Sequence, residues 1–418
     1  MQEKMLDKAK AVLVGIAERG SEVEECERSL DELERLLDTS GGECFAKILQ
    51  VKDSFDPRTC IGRGKVKELS EICDNNNIKL VVFDFELSPS QIRNLETDLG
   101  GEVTVIDRSM LILDIFALHA VTGEGKLQVE LAQMKYSAPR LVGHGTELSR
   151  QGGGIGSRGP GESKLETDRR HLKERVTMLE RRLEELEHNR EIMRAKRDRS
   201  GVFKIAIVGY TNAGKSTLLN YLTNAGILSE DKLFATLDPT TRKLELPSGE
   251  SVLLTDTVGF IRKLPHHLVK AFKSTLDEVK YADLLLLVSD INDPECAEHI
   301  AVTREVISDL DASDKPIIYV YNKCDLAENI MPEIIDQDSV AISAVTGDGV
   351  DLLLSMIEGV MERTQRTITL AVPYNDQSIV NALYSKYTVI SVEYRDSYVE
   401  VVAKLDAKGL GQYSNYVI

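Results

Sequence analysis

Residues 209–216 read Gly-Tyr-Thr-Asn-Ala-Gly-Lys-Ser, preceded by the apolar run Val202–Val208 and followed by the helical stretch Ser216–Leu222. Strand, glycine-bounded loop and helix in that order make a P-loop. The glycines let backbone N–H groups turn inward around phosphates, at the positive end of a helix dipole. Lys215 supplies charge to the β- and γ-phosphates, and the Ser216 hydroxyl is a Mg²⁺ ligand. Gly209, Tyr210, Thr211, Asn212, Ala213, Gly214 and Thr217 complete the cradle. Outward from it, Leu244–Leu246, Val252–Thr255, Leu284–Asp290, Pro316–Asn322 and Val340–Ser343 read as further strands with helices between. That alternation predicts an α/β fold, a doubly wound parallel sheet carrying the P-loop, over residues 200–364.

Three more segments fit this sheet. Asp256-Thr257-Val258-Gly259 closes an apolar strand about forty residues after Lys215. Its carboxylate can hold Mg²⁺ through water, and the Gly259 N–H can sense a γ-phosphate. Asn322-Lys323-Cys324-Asp325 follows another strand. A carboxylate at Asp325 can accept both the ring N–H and the exocyclic amine of guanine, a donor pair that adenine lacks on that edge. The stem of Lys323 can cover the base face. Ser343-Ala344-Val345, after the next strand, offers a backbone N–H for the guanine oxygen. The expected ligands are therefore GTP and GDP.

A threonine that closes over Mg²⁺ must lie between Lys215 and Asp256. Within Phe234-Ala235-Thr236-Leu237-Asp238-Pro239-Thr240-Thr241, Thr236 is favoured and Thr241 is the runner-up. Phe260 occupies the position after D-x-x-G where a glutamine would orient the attacking water, which phenylalanine cannot do. The intrinsic rate is then expected to be slow unless a partner or another element completes the site. Asn212, inside the P-loop, can help hold K⁺ beside the phosphates, or can serve as a turn former. Lys215, Asn212, Thr236 and Gly259 are the expected catalytic set, with Ser216 and Thr236 as the metal ligands.

The 418 residues imply about three or four domains. Residues 1 to about 40 read as one glutamate-rich helix, with Val23, Leu30, Leu33, Leu36 and Leu37 at helical spacing. Strands at Phe45–Val51, Leu80–Phe85 and Val103–Ile106 alternate with helices at Lys65–Asn75 and Pro89–Leu99, a small α/β domain over 1–120. In 121–199, a helix over Glu124–Ser137 and a long one from Ser163, with a heptad seam through Leu172, Val176, Leu179, Leu183, Leu186 and Met193, predict an antiparallel hairpin with a glycine-rich tip, to be read either as a functional arm or as a self-contained coiled-coil spacer. Residues 365–418 read as a small α/β domain.

The net charge of −17 argues against a non-specific nucleic-acid coat. Yet Pro139–Arg199 carries 15 Lys and Arg against 11 Asp and Glu. Arg150 and Arg158 at a glycine tip can approach RNA phosphates closely. The same composition also suits a solvated helix face. Six cysteines with no C-x-x-C pair argue against a zinc site and a disulfide framework, and for reduced thiols in a cytoplasm. The longest apolar run, Leu284–Val288, falls far short of the roughly 20 residues of a membrane helix, and the patch Val12–Ile16 is too brief for a secretory signal.

Together these residues resemble the HflX family of translational GTPases. The match covers Gly-Tyr-Thr-Asn-Ala-Gly-Lys-Ser at 209–216, Phe-Ala-Thr-Leu-Asp-Pro-Thr-Thr-Arg at 234–242, Asp-Thr-Val-Gly-Phe-Ile at 256–261 and Asn-Lys-Cys-Asp at 322–325. It extends to Gly-Arg-Gly-Lys-Val at 62–66 and, most specifically, to Gly-Gly-Gly-Ile-Gly-Ser-Arg-Gly-Pro-Gly-Glu at 152–162. The resemblance implies a cytoplasmic, monomeric, membrane-independent GTPase. It would bind the large ribosomal subunit and its ribosomal RNA, be stimulated by the ribosome, and split or rescue stalled ribosomes. It also implies Thr236 as a Mg²⁺ ligand. The alternative is a nucleotide-gated module that holds ribosomes silent with incidental turnover.

Overall fold

The structure, a computed structural model, describes residues 9–17, 22–52, 54–141, 160–198, 202–223, 233–234, 239–263, 273–327, 331–364, 366–405 and 407–418. The chain divides into two compact units. One comprises Met1–Glu185, Glu230–Asp238 and Ile261–Lys273; the other comprises Leu186–Ser229, Pro239–Phe260 and Ser274–Ile418.

The first unit corrects the reading of the N-terminus. Instead of one helix over residues 1 to about 40, Ala9–Ala17 is a strand, β1, and only Glu22–Thr39 is helical, α1. Ala11–Val14 are completely buried. Strands β2 (Gly42–Val51), β3 (Leu80–Phe83) and β4 (Thr104–Asp107) join β1 in a parallel sheet of order β2-β1-β3-β4. Helices α2 (Arg63–Asn76) and α3 (Pro89–Asp98) cover one face, packing on Val12, Val14, Val81 and Phe83. Alternation turns Leu13 to the other face, where α1 packs on β1 and also meets α4 (Arg108–His119). Asp107 caps α4, accepting from the Met110 N–H at 3.0 Å.

At the carboxyl end of β3 lies a buried ion network. Asp84 accepts hydrogen bonds from Arg108 at 2.7 Å, Ser29 at 2.6 Å and Lys263 at 2.7 Å, while Glu32 pairs with the far side of Arg108. Helices α5 (Gly123–Leu141) and α6 (Pro160–Asp198) follow, joined by ion pairs Arg175–Glu130 at 2.6 Å and Lys135–Glu180 at 2.7 Å. The seam is visible in the burial of α6. Leu172, Val176, Leu183 and Leu186 are half-buried and Leu179 is fully buried, among exposed neighbours. The glycine-rich tip lies outside the described residues.

The second unit holds a seven-stranded sheet of order β10-β11-β9-β8-β5-β7-β6. Its strands are β5 (Lys204–Gly209), β6 (Thr240–Glu245), β7 (Ser251–Asp256), β8 (Leu284–Asp290), β9 (Ile317–Asn322), β10 (Ile334–Asp336) and β11 (Ser339–Ala341). The five inner strands are parallel, and both outer ones, β6 and β10, pair antiparallel. Helices α7 (Lys215–Thr223), α8 (Lys273–Lys280), α9 (Cys296–Asp309) and α10 (Val350–Thr364) connect them. The core draws on Ile207, Leu218, Leu254, Leu286, Val320 and Ile357, all essentially inaccessible to solvent. Beyond it, strands β12 (Arg366–Pro373), β13 (Thr388–Tyr394) and β14 (Tyr398–Leu405) form an antiparallel sheet, β12-β14-β13. Helices α11 (Gln377–Lys386) and α12 (Ala407–Gln412) complete this region.

Candidate functional site

Parallel strands β5, β7, β8, β9 and β11 end along one edge of the sheet, so Gly209, Asp256, Asp290, Asn322 and Ala341 terminate side by side. Crevices at such carboxyl edges are where open α/β sheets bind ligands.

The loop after β5 demands two glycines. Gly209 has φ +148°, and a Cβ there would come within 2.1 Å of the Val288 carbonyl oxygen. Gly214 has φ +92°, and a Cβ would lie 2.1 Å from Asn322 Nδ2. Asn212 is also left-handed, at φ +60°, which an asparagine tolerates and which gives it a local structural reason to be there. The result is a tight turn ending at the N-terminus of α7.

Lys215, the first residue of α7, is buried, and its Nζ donates to the Tyr210 carbonyl at 2.7 Å. Burial pulls its ammonium down to about 8, with the Asp256 charge opposing. Ser216 donates from Oγ to Asp256 Oδ2 at 2.6 Å, and Asp256 is completely buried. A hydroxyl and a carboxylate so juxtaposed beside a lysine are hard oxygen donors of the kind Mg²⁺ takes. Thr257 Oγ1 donates to the Ile207 carbonyl at 2.7 Å, tying β7 to β5.

Gly259 fits against Thr211 and Lys215; a Cβ there would stand 2.9 Å from Lys215 Nζ. Phe260 is bracketed by the P-loop. Its N–H donates to the Gly209 carbonyl at 3.1 Å, and its carbonyl accepts from the Thr211 N–H at 2.8 Å. Its ring is buried, so no polar side chain is presented at that position.

The Asn322–Asp325 segment is held across the sheet. Asn322 donates from Nδ2 to the Ala213 carbonyl at 2.9 Å and accepts at Oδ1 from the Ala344 N–H at 2.9 Å. One buried amide thus joins the P-loop, β9 and the Ser343–Val345 turn. Asp325 is exposed, Cys324 is buried, and Ser343 and Ala344 are buried while Val345 projects outward. Lys323 is left-handed at φ +67°.

Of the 233–241 segment, Leu233, Phe234 and residues 239–241 are described. Phe234 is buried at φ +59° with its ring edge-on to Phe116 of α4, centroids 4.7 Å apart. Ala235, Thr236, Leu237 and Asp238 lie outside the described residues. The runner-up Thr241 lies in β6 with its hydroxyl 2.9 Å from that of Thr255.

Sequence reasoning missed three neighbours of the site. Tyr210 stacks on His299 of α9, rings 3.7 Å apart at 13°. Asp290 and Asn292, after β8, grip Lys323. A polar residue closing the apolar strand Leu284–Asp290 was the signal available for Asp290.

A glycine-bounded loop at a helix N-terminus, a buried lysine, a hydroxyl–carboxylate pair and the exposed carboxylate of Asp325, all at one carboxyl edge of the sheet, are the features expected of one class: a P-loop GTPase. Comparison with known proteins is specific. Residues 27–117, 119–197 and 204–323 match profiles described as GTP-binding GTPase N-terminal, GTP-binding GTPase Middle Region and 50S ribosome-binding GTPase. The chain is 49% identical over 418 residues to GTPase HflX of Caldanaerobacter subterraneus subsp. tengcongensis, covering 100% of this chain and 96% of that one. It is 44% identical over 361 residues to GTPase HflX of Escherichia coli, covering 85% and 84%. A solved GTP-binding protein from Sulfolobus solfataricus in complex with GDP is 25% identical with a TM-score of 0.45, covering 84% of this chain and 98% of that one. The chain belongs to the HflX family of GTPases, and it is a GTP hydrolase. Among the described residues, no helix is long and apolar enough to cross a membrane.

Proposed function

We propose that this chain hydrolyses GTP in the cytoplasm while bound to the large ribosomal subunit, and that the cycle splits or rescues stalled ribosomes. The P-loop amides of residues 209–216 and Lys215 would hold the β- and γ-phosphates, Asp325 and Lys323 the guanine, and the Ala344 turn its oxygen. Mg²⁺, which neutralises the phosphate charge when bound, would be held by Ser216 and Thr236, with Asp256 reaching it through water. Water attacks the γ-phosphorus, the bond to the β–γ bridging oxygen breaks, and the water's protons pass to the phosphate and solvent. Asn212 would place K⁺ beside that charge.

The observation that carries the ribosome-dependent part is Phe260. Its ring is buried and its backbone is bracketed by Gly209 and Thr211, so the chain itself offers no water-orienting side chain at that position. On this reading a partner or another element completes the site, and the basic 139–199 segment, which includes Arg150 and Arg158, would bring the chain to ribosomal RNA. The test measures GTP turnover with and without purified large subunits, alongside subunit dissociation. Strong stimulation with dissociation is expected. Tight GTP-dependent docking with neither would replace this reading with that of a silencing module. Deleting Gly152–Gly161 should spare GDP binding and abolish stimulation. Equal rates in KCl and NaCl would remove K⁺ from the scheme.

A further inference from the structure

Lys323 has an unusual burden. Its backbone is in the left-handed region, φ +67° and ψ 31°, where side chains other than glycine, asparagine and aspartate are strained. Backbone ties support it, since the Leu326 N–H donates to the Lys323 carbonyl at 3.1 Å and the Cys324 N–H donates to the Ile342 carbonyl at 3.1 Å. The turn after β8 adds two side-chain ties to Lys323 itself.

Lys323 Nζ meets Asp290 Oδ2 at 2.8 Å. The Lys323 carbonyl accepts from Asn292 Nδ2 at 2.8 Å. Asp290 is itself fixed, because its Oδ1 accepts from the Asn292 N–H at 3.0 Å. The Ile291 N–H donates to the Asn322 carbonyl at 3.0 Å, locking the exits of β8 and β9 together. Lys323 is thus clasped at both ends, ammonium and carbonyl, by two residues that are 31 and 33 positions away in sequence.

The geometry has a consequence for chemistry. An ammonium engaged by Asp290 leaves the four-carbon stem extended as an apolar plate. A carbonyl held by Asn292 fixes the strained backbone from which the short 3₁₀ turn Cys324–Leu326 departs, and that turn carries Asp325.

We propose that Asp290 and Asn292 are positioning residues for guanine: through Lys323 they set the base plate and the aim of Asp325, and so determine selectivity for the guanine 2-amino group. This rests on the assignment of Asp325 as the base reader.

The test titrates the full-length chain, in Mg²⁺, with GDP and with IDP, which lacks the 2-amino group. The variants are Asp290→Ala, Asp290→Asn and Asn292→Ala, each alone and on an Asp325→Asn background. Asn292 is exposed, so its variant should fold normally. Asp290→Ala should weaken GDP about tenfold, the scale of losing a hydrogen bond to a charged partner, and Asn292→Ala about threefold to tenfold, the scale of losing a neutral one. IDP should lose less, so the GDP-to-IDP affinity ratio falls. Asp290→Asn, which keeps an acceptor for the ammonium, should restore part of the ratio. On the Asp325→Asn background neither alanine variant should change the ratio further. An unchanged ratio in both alanine variants, or an equal loss for GDP and IDP that persists on the Asp325→Asn background, would overturn the proposal. A wild-type chain with no preference for GDP over IDP would instead bring down the guanine assignment on which it stands.

Discussion

Gly214→Ala should unfold the nucleotide site for a reason that a second substitution can isolate. The new methyl would sit 2.1 Å from Asn322 Nδ2 on a backbone at φ +92°. Backbone strain for an L side chain there is about 1–2 kcal/mol. Displacing Asn322 also threatens two buried hydrogen bonds, to the Ala213 carbonyl and from the Ala344 N–H, both 2.9 Å. Buried groups left unpaired cost about 1–3 kcal/mol each. The total is about 3–8 kcal/mol, a large share of a typical domain's stability. Asn322→Ala alone should cost about 2–6 kcal/mol, since it orphans the same two backbone groups.

On the Asn322→Ala background the obstructing atom is gone. Gly214→Ala should then add only the strain, about 1–2 kcal/mol. Scanning calorimetry of the nucleotide-free chain, following the transition that GDP raises, reads these differences at about 2–4 °C per kcal/mol. A drop from Gly214→Ala that is as large on the Asn322→Ala background as in the wild type would refute the clash. The strain would then lie in the loop alone.

Lys215 gives a pH signature. In the nucleotide-free chain burial holds its pKa near 8, below the ordinary lysine value, and phosphate oxygens should raise it again. Binding of GDP above about pH 8 should therefore take up a proton and weaken as pH rises. Calorimetry at pH 8.5 in two buffers of different ionisation enthalpy measures that uptake, which should vanish in Lys215→Arg. By the same shift the folded chain holds fewer protons than the unfolded one between about pH 8 and 10.5, so this group makes stability rise with pH across that window. Ser216→Ala should leave GDP binding largely intact but cut Mg²⁺-dependent GTP turnover by at least about tenfold, as expected for loss of a metal ligand; unchanged turnover across a Mg²⁺ titration would remove Ser216 from the metal. In the first unit, Asp84→Ala leaves Arg108 buried beside Glu32 alone, and should cost about 3–5 kcal/mol in a urea melt followed by circular dichroism.

What the sequence disclosed was local. Four motifs, each a strand end with fixed spacing, could be read because their chemistry lies within eight residues. The strand β1 was not, because it is covered on both faces. Its buried run Ala11–Val14 therefore lacks the alternation that marks a one-sided strand, and the helical periodicity of α1 was extended back over it. Helix α4 was hidden for a similar reason: seven of its twelve residues are buried, so its sequence shows no polar face. The cross-sheet ties, Asn322 to Ala213 and Asp290 to Lys323, join residues far apart in the chain, and no single-sequence pattern announces them.

Cys324 sits inside Asn-Lys-Cys-Asp, yet it is buried, and desolvation together with nearby carboxylates pushes its thiol pKa upward. The other five cysteines are shifted the same way. Because peroxides and alkylating agents attack thiolates, the thiols of this chain should react slowly with both, Cys324 beside Asp325 included.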